Sequence, residues 1–122
     1  MPKFMALYVG SADAFARSSW DNLDDAARKE REIAGMQAWG AWQERNKRVI
    51  ADEGSPLGKT KRVDANGVSD ASNAVAGYII VEAPSHEAAA KLFENHPHFS
   101  IFPGDSVEVM PCNPIPMMED LK

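Results

Sequence analysis

An α+β sandwich with the element order βαββαβ is what this sequence predicts, on three observations. Tyr78-Ile79-Ile80-Val81 is β-branched or aromatic throughout and follows Gly77, which marks a buried strand better than a helix of that length. Beyond it Ala89, Leu92, Phe93 and His96 recur at i, i+3, i+4 and i+7, one helical stripe of three apolar side chains ending in an imidazole. Ser106-Val107-Glu108-Val109 then alternates with period two, Val107 and Val109 on one face and Glu108 on the other. A β-α-β half is therefore complete within Ala76 to Pro111.

The elements follow in order. Lys3 to Val9 is a near-continuous apolar run ended by Gly10, suited to a strand in the middle of a sheet. Ser11 to Asp21 reads as a loop with a short helical turn, anchored by Phe15 and Trp20. Leu23 to Glu53 lacks proline and is rich in Ala, Glu, Arg, Lys and Met, which predicts a long helix. Its stripe runs through Gly35, Trp39, Trp42, Asn46, Val49 and Ile50, and Gly54 stands where a C′ glycine would close it. After the turn at Ser55-Pro56-Leu57-Gly58, Lys59 to Val63 suits a polar edge strand, and Asn66-Gly67 signals a tight hairpin. Ser69 to Asn73 reads as a loop or bulge before the strand Ala74 to Glu82. Ser85 caps the next helix with Glu87 in its first turn, and Pro97 stops it at His96.

Four strands and two helices in this order pack, with right-handed crossovers, as a ferredoxin-like sandwich whose helices cover one face only. Both faces of the central strands look dry, since Phe4, Tyr8, Tyr78 and Ile80 alternate with equally apolar neighbours. Pairing two sheets face to face into a homodimeric barrel would cover the second face. Residues 1–111 are read as the domain and 112–122 as an extended tail, with Pro114 and Pro116 excluding a helix over Cys112 to Met118. Ile115, Met117 and Met118 predict that the tail docks on its own body or on a partner.

Composition narrows the function classes. A chain of 122 residues fits a single domain, and the net charge of -5 argues against a duplex nucleic acid partner. The basic groups Arg28-Lys29-Arg31, Arg45-Lys47-Arg48 and Lys59-Lys61-Arg62 are interspersed or flanked by acids and read as solvated faces. One cysteine, Cys112, forms no intramolecular disulfide. No apolar run approaches the ~20 residues of a membrane helix, no signal peptide is visible, and a cytoplasmic location is expected.

Several stretches carry a family resemblance: Lys3-Phe4-Met5-Ala6-Leu7-Tyr8, Asp52-Glu53-Gly54 with Pro56-Leu57, and Gly77 to Ala83. Glu87-Ala88-Ala89, His96-Pro97-His98 and Val107-Glu108-Val109 complete the series. In this order, from Phe4 to Pro111, they resemble the YCII-related family and its DGPF relatives. The resemblance implies a dimeric α/β barrel with a cleft between sheet and helices, where in some members a His-Asp pair acts on small ring compounds. Where DGPF relatives carry Asp-Gly-Pro-Phe, this chain has Ser69-Asp70-Ala71-Ser72-Asn73, with Asp70 in common, and its first helix contains no histidine.

His96 is the candidate catalytic base. At a helix C-terminus the dipole would favour its imidazolium, and it needs an orienting carboxylate, Asp70 by the resemblance, with Asp105 or Asp13 as alternatives. The plainer reading makes it a cap of its own helix, bonded to a main-chain carbonyl. His98 points elsewhere in an extended segment and is expected at the surface or cleft rim. Trp39, Trp42 and Asn46 could wall a cleft and orient an aromatic ligand, or serve as core with Asn46 bonded to backbone. A metal on His96 and His98 is disfavoured because Pro97 begins a loop between them. No phosphate loop, serine elbow or paired-cysteine spacing appears, so no cofactor is expected. Three functions remain: small-molecule binding in the cleft, a cofactor-free lyase or hydrolase, and a non-catalytic structural or regulatory dimer.

Overall fold

In the computed structural model, which describes residues 1–121, the order is β1 (Lys3–Val9), α1 (Ala12–Arg17), α2 (Asp25–Asn46), β2 (Ile50–Pro56), β3 (Thr60–Asp64) and β4 (Gly67–Ala71). It continues through β5 (Val75–Glu82), α3 (His86–Lys91), α4 (Pro97–Ser100) and β6 (Ser106–Pro111). β2, β5, β1 and β6 lie side by side, all neighbours antiparallel, with β3 and β4 in a separate two-stranded sheet. The fold is the ferredoxin-like α+β class.

Alternation along the central strands decides what is buried. Phe4, Ala6 and Tyr8 of β1 and Ile79 and Val81 of β5 face the helices, and Trp42, Ala89 and Phe93 close over them. The opposite parity, Met5, Leu7, Tyr78 and Ile80, is half-buried, and Met110 beside Met5 is exposed. Hydrophobic alternation thus sets the register, since a one-residue slip would turn the core outward.

The long helix is shorter than its composition predicts. Its first turn is capped by Asp24, whose carboxylate accepts from the Ala27 N–H at 2.7 Å, and it ends at Asn46 rather than Glu53. Val49 and Ile50 leave the helical stripe and lead into β2, where Ile50 opposes Val81. Local propensity in Asp52-Glu53-Gly54 is poor for a strand, so pairing with β5 overrides it. Gly54 is therefore not a helix cap. It sits at φ +69° in a bulge, its N–H donating to Asp52 Oδ1, and a Cβ there would land on the Tyr78 carbonyl.

Lys59 to Val63 is likewise not the second strand of the main sheet. The Asn66-Gly67 signal does mark a tight turn, but it joins β3 to β4, pairing Val63 with Val68, and this hairpin stands apart from the main sheet. Ser69 to Ala71, read as a loop, belongs to β4. In the first connection Ser11 caps α1, and Trp20 is buried against Phe102 at 6.0 Å while Phe15 stays exposed. The tail does not fold back on its own body, because Ile115, Met117 and Met118 are all exposed. Lys122 lies outside the described residues. Among those residues no helix is long and apolar enough to cross a membrane.

Candidate functional site

Between the sheet and α2 lies a cavity of about 480 Å³, lined by Tyr8 of β1, Met36, Trp39 and Gln43 of α2, Glu53 to Pro56 of β2, and Ala76 to Tyr78 of β5, with His98 and Phe102 at one side. Tyr8 reaches it because it shares the helix-facing parity of Phe4 and Ala6, and Gly77 directly opposite adds no side chain. The Tyr8 and Trp39 rings meet at 4.9 Å. Trp39 and Phe102 lie 6.1 Å apart, so one end of the cavity is aromatic on three sides.

Behind that wall two histidines are fixed by main-chain bonds. Asn95 at φ 57° ends the turns after α3, and His96 then becomes the N-cap of α4, its Nδ1 accepting from the His98 N–H at 3.0 Å. The expectation that His96 ends a helix, with the dipole favouring imidazolium, is thus reversed. Pro97 starts a new helix, as its fixed φ suits at N1. His96 is fully buried among Trp39 at 4.5 Å, Trp42 at 4.8 Å, Tyr8 at 5.2 Å and Phe93 at 5.8 Å. Burial, followed by repulsion from His98, lowers its pKa from 6.5 to about 4. With Nδ1 accepting, the neutral ring carries its proton on Nε2, and that atom has no partner among the described residues.

His98 is the mirror case. It is buried rather than at the surface, its Nε2 lies 2.8 Å from the Val9 carbonyl, and a carbonyl can only accept, so Nε2 carries the proton. Nδ1 of the neutral ring is then left as a lone-pair acceptor. Gly104 permits this packing, because a Cβ there would collide with the His98 ring. The Val9 carbonyl also accepts from the Asp105 N–H at 2.9 Å, which ties the loop to the end of β1.

The Tyr8 hydroxyl is the third unusual group. Burial pushes its pKa upward, so it remains protonated, and it is buried without a partner among the described residues. Such an orphan is destabilising by about 1–3 kcal/mol.

The other candidate residues are not brought to this place. Asp70 is an exposed residue of β4 that pairs with Lys61, and neither nitrogen of His96 bonds to it. Asp105 accepts from the Ser11 N–H at 2.7 Å and from Arg17 at 3.2 Å. Ser11 first, through hydroxyl and backbone, and then the Arg17 guanidinium hold that carboxyl below the usual range. Trp42 is core, donating from Nε1 to the Leu92 carbonyl at 2.8 Å, and Asn46 donates to the Trp42 carbonyl at 2.9 Å. Of the four residues expected to hold a ligand, Trp39 and His98 line the cavity and Trp42 and Asn46 do not. Sequence reasoning missed Tyr8, Gln43 and Phe102. Tyr8 left one signal, a phenol on the buried parity of a strand that otherwise carries Phe and Ala there.

Comparisons with known proteins give a fold and no family. No family model matches the chain, and no curated protein matches it. Among solved structures it is similar to 5-chloro-2-hydroxyhydroquinone dehydrochlorinase (TftG) from Burkholderia phenoliruptrix AC1100, in complex with 2,5-dihydroxybenzoquinone. The match has a TM-score of 0.52 at 18% identity and covers 93% of this chain and 94% of that one. A likeness at this identity concerns the fold.

Proposed function

We propose that this chain is a small-molecule-binding protein of the YCII-like kind that holds a small planar ring in the cavity between α2 and the sheet. The carrying observation is a recess of about 480 Å³ walled by the rings of Tyr8, Trp39 and Phe102. Large flat surfaces with few polar groups are what small ring compounds require. The fold likeness to a dehydrochlorinase whose structure holds a dihydroxybenzoquinone supports the same ligand class. A thermal-shift screen of small phenols and quinones tests it. A ligand at a hundredfold excess over its Kd should stabilise the protein by about 2.7 kcal/mol. A series in which no ring compound raises Tm would contradict the reading and leave a non-catalytic structural dimer.

The assembly belongs to the same proposal. Met5, Leu7, Tyr78, Ile80 and Met110 form an apolar face that is half-buried or exposed among the described residues, and a second copy related by a two-fold axis covers it by the same residues. Sedimentation should give a dimer, and Ile80→Lys a monomer with an unchanged circular dichroism spectrum; a wild-type monomer would exclude the barrel.

Turnover is a second reading, favoured by the hydrogen bonding at His98. A cofactor-free lyase needs a base with an available lone pair, which His98 Nδ1 offers. His96 is a poor candidate, its Nδ1 occupied and its basicity lowered by burial. Turnover would then disappear in His98→Ala, whereas turnover at the wild-type rate would remove that base.

A further inference from the structure

The polar groups around the cavity have a consistent sign. Among the described residues no lysine or arginine lines it, and the one charged lining residue is the exposed carboxylate Glu53. Arg17 and Arg31 are engaged elsewhere, Arg17 with Asp105 and Arg31 over the Trp20 ring at 5.7 Å. An anionic ligand would lose its hydration on entering and meet no cation in return, with a like charge at the rim. A hydroxyl-bearing neutral ring meets a complementary group instead, because the tautomer fixed by Val9 leaves His98 Nδ1 as an acceptor.

Resting on the ring-binding reading above, we propose that the cavity selects neutral hydroxyaromatic rings over carboxylated ones, with His98 Nδ1 accepting the hydrogen bond from the ligand's hydroxyl. His98 is then a specificity-determining residue, and the bond from its Nε2 to the Val9 carbonyl is what presents the right nitrogen. The chain would handle phenols, which are neutral near pH 7, and reject benzoates of the same size.

Three probes of one shape separate these effects: 4-methylphenol, 4-methylanisole and 4-methylbenzoate, each titrated calorimetrically near neutral pH. The phenol should bind roughly five- to tenfold tighter than the anisole, which cannot donate. It should exceed the ionised benzoate by more than roughly tenfold. His98→Gln keeps a donor at the position of Nε2 and carries no acceptor at the position of Nδ1, so it should bring the phenol's affinity down to that of the anisole for the same variant. Benzoate binding as tight as phenol, or a phenol preference that survives in His98→Gln, overturns the inference. Should that variant not fold, the wild-type ranking of the three probes decides by itself. If none of the three binds, the ring-binding reading itself fails and takes this inference with it.

Discussion

The two ends of the interface between α2 and the sheet are built from similar residues to opposite effect. At one end Trp42, Phe93, Ala89 and Val81 fill the space, each almost wholly buried, and the indole N–H of Trp42 has its acceptor. At the other end Trp39 is only half-buried, Tyr8 faces Gly77, and the hydroxyl of Tyr8 has no partner. Two tryptophans three positions apart on one helix therefore do different work. A packed core satisfies its polar atoms and leaves no void. A recess that does neither, yet is walled by aromatic rings, is shaped for something outside the chain.

That contrast is tested most severely at the packed end. Trp42→Ala should destabilise the fold by about 3–5 kcal/mol, since a cavity opens and the Leu92 carbonyl loses its donor. Urea denaturation measures it; a loss no larger than at Trp39 would erase the distinction between the two ends.

A smaller effect comes from the seam between them, where His96 touches both tryptophans. Its imidazole stays neutral down to about pH 4 in the fold but protonates near 6.5 in the unfolded chain. Between those values the unfolded state binds more protons, so stability is full above the upper one and falls as the pH drops toward the lower, by on the order of 2 kcal/mol. Urea midpoints followed across this window should show the slope, and His96→Asn, which keeps a side-chain acceptor for the His98 N–H, should flatten it. A slope unchanged in that variant would assign it to other groups.

The smallest effect on stability belongs to the open end. Trp39→Ala should weaken the fold by only about 1–2 kcal/mol, because the ring is already half in contact with solvent. The same substitution should abolish the thermal shift given by ring compounds, whereas a retained shift would place the ligand elsewhere.

Much of the fold was legible because it rests on short-range patterns. The alternation of Val107 and Val109 and the Ser85 cap stand as their spacing predicts, whereas the helical stripe breaks off, since α3 ends at Lys91 and Phe93 and His96 reach the core from the turns that follow it. Val49 and Ile50 were misplaced for the opposite reason. They continue a helical stripe by spacing, and only the pairing of Ile50 with Val81, far along the chain, turns the segment into an edge strand. The hairpin showed a similar limit, since Asn66-Gly67 announces a turn without saying which sheet its arms join.

The site was less legible, because what distinguishes its residues is which main-chain groups they meet. Nothing in His96-Pro97-His98 says that the first ring will accept from the second residue's N–H and the second ring donate to Val9. Those two bonds decide which nitrogen carries each proton, and with it which histidine offers a lone pair. The Asp70 pairing followed a motif position and failed because that position lies in the hairpin, beside Lys61.

The most direct test of the recess uses the three indole N–H signals of the ¹⁵N-labelled protein during titration with 4-methylphenol. The account predicts that Trp39 Nε1 shifts in a saturable way while Trp42 Nε1, bonded to Leu92, stays in place. A titration that moves Trp42 or Trp20 and leaves Trp39 unchanged would contradict it.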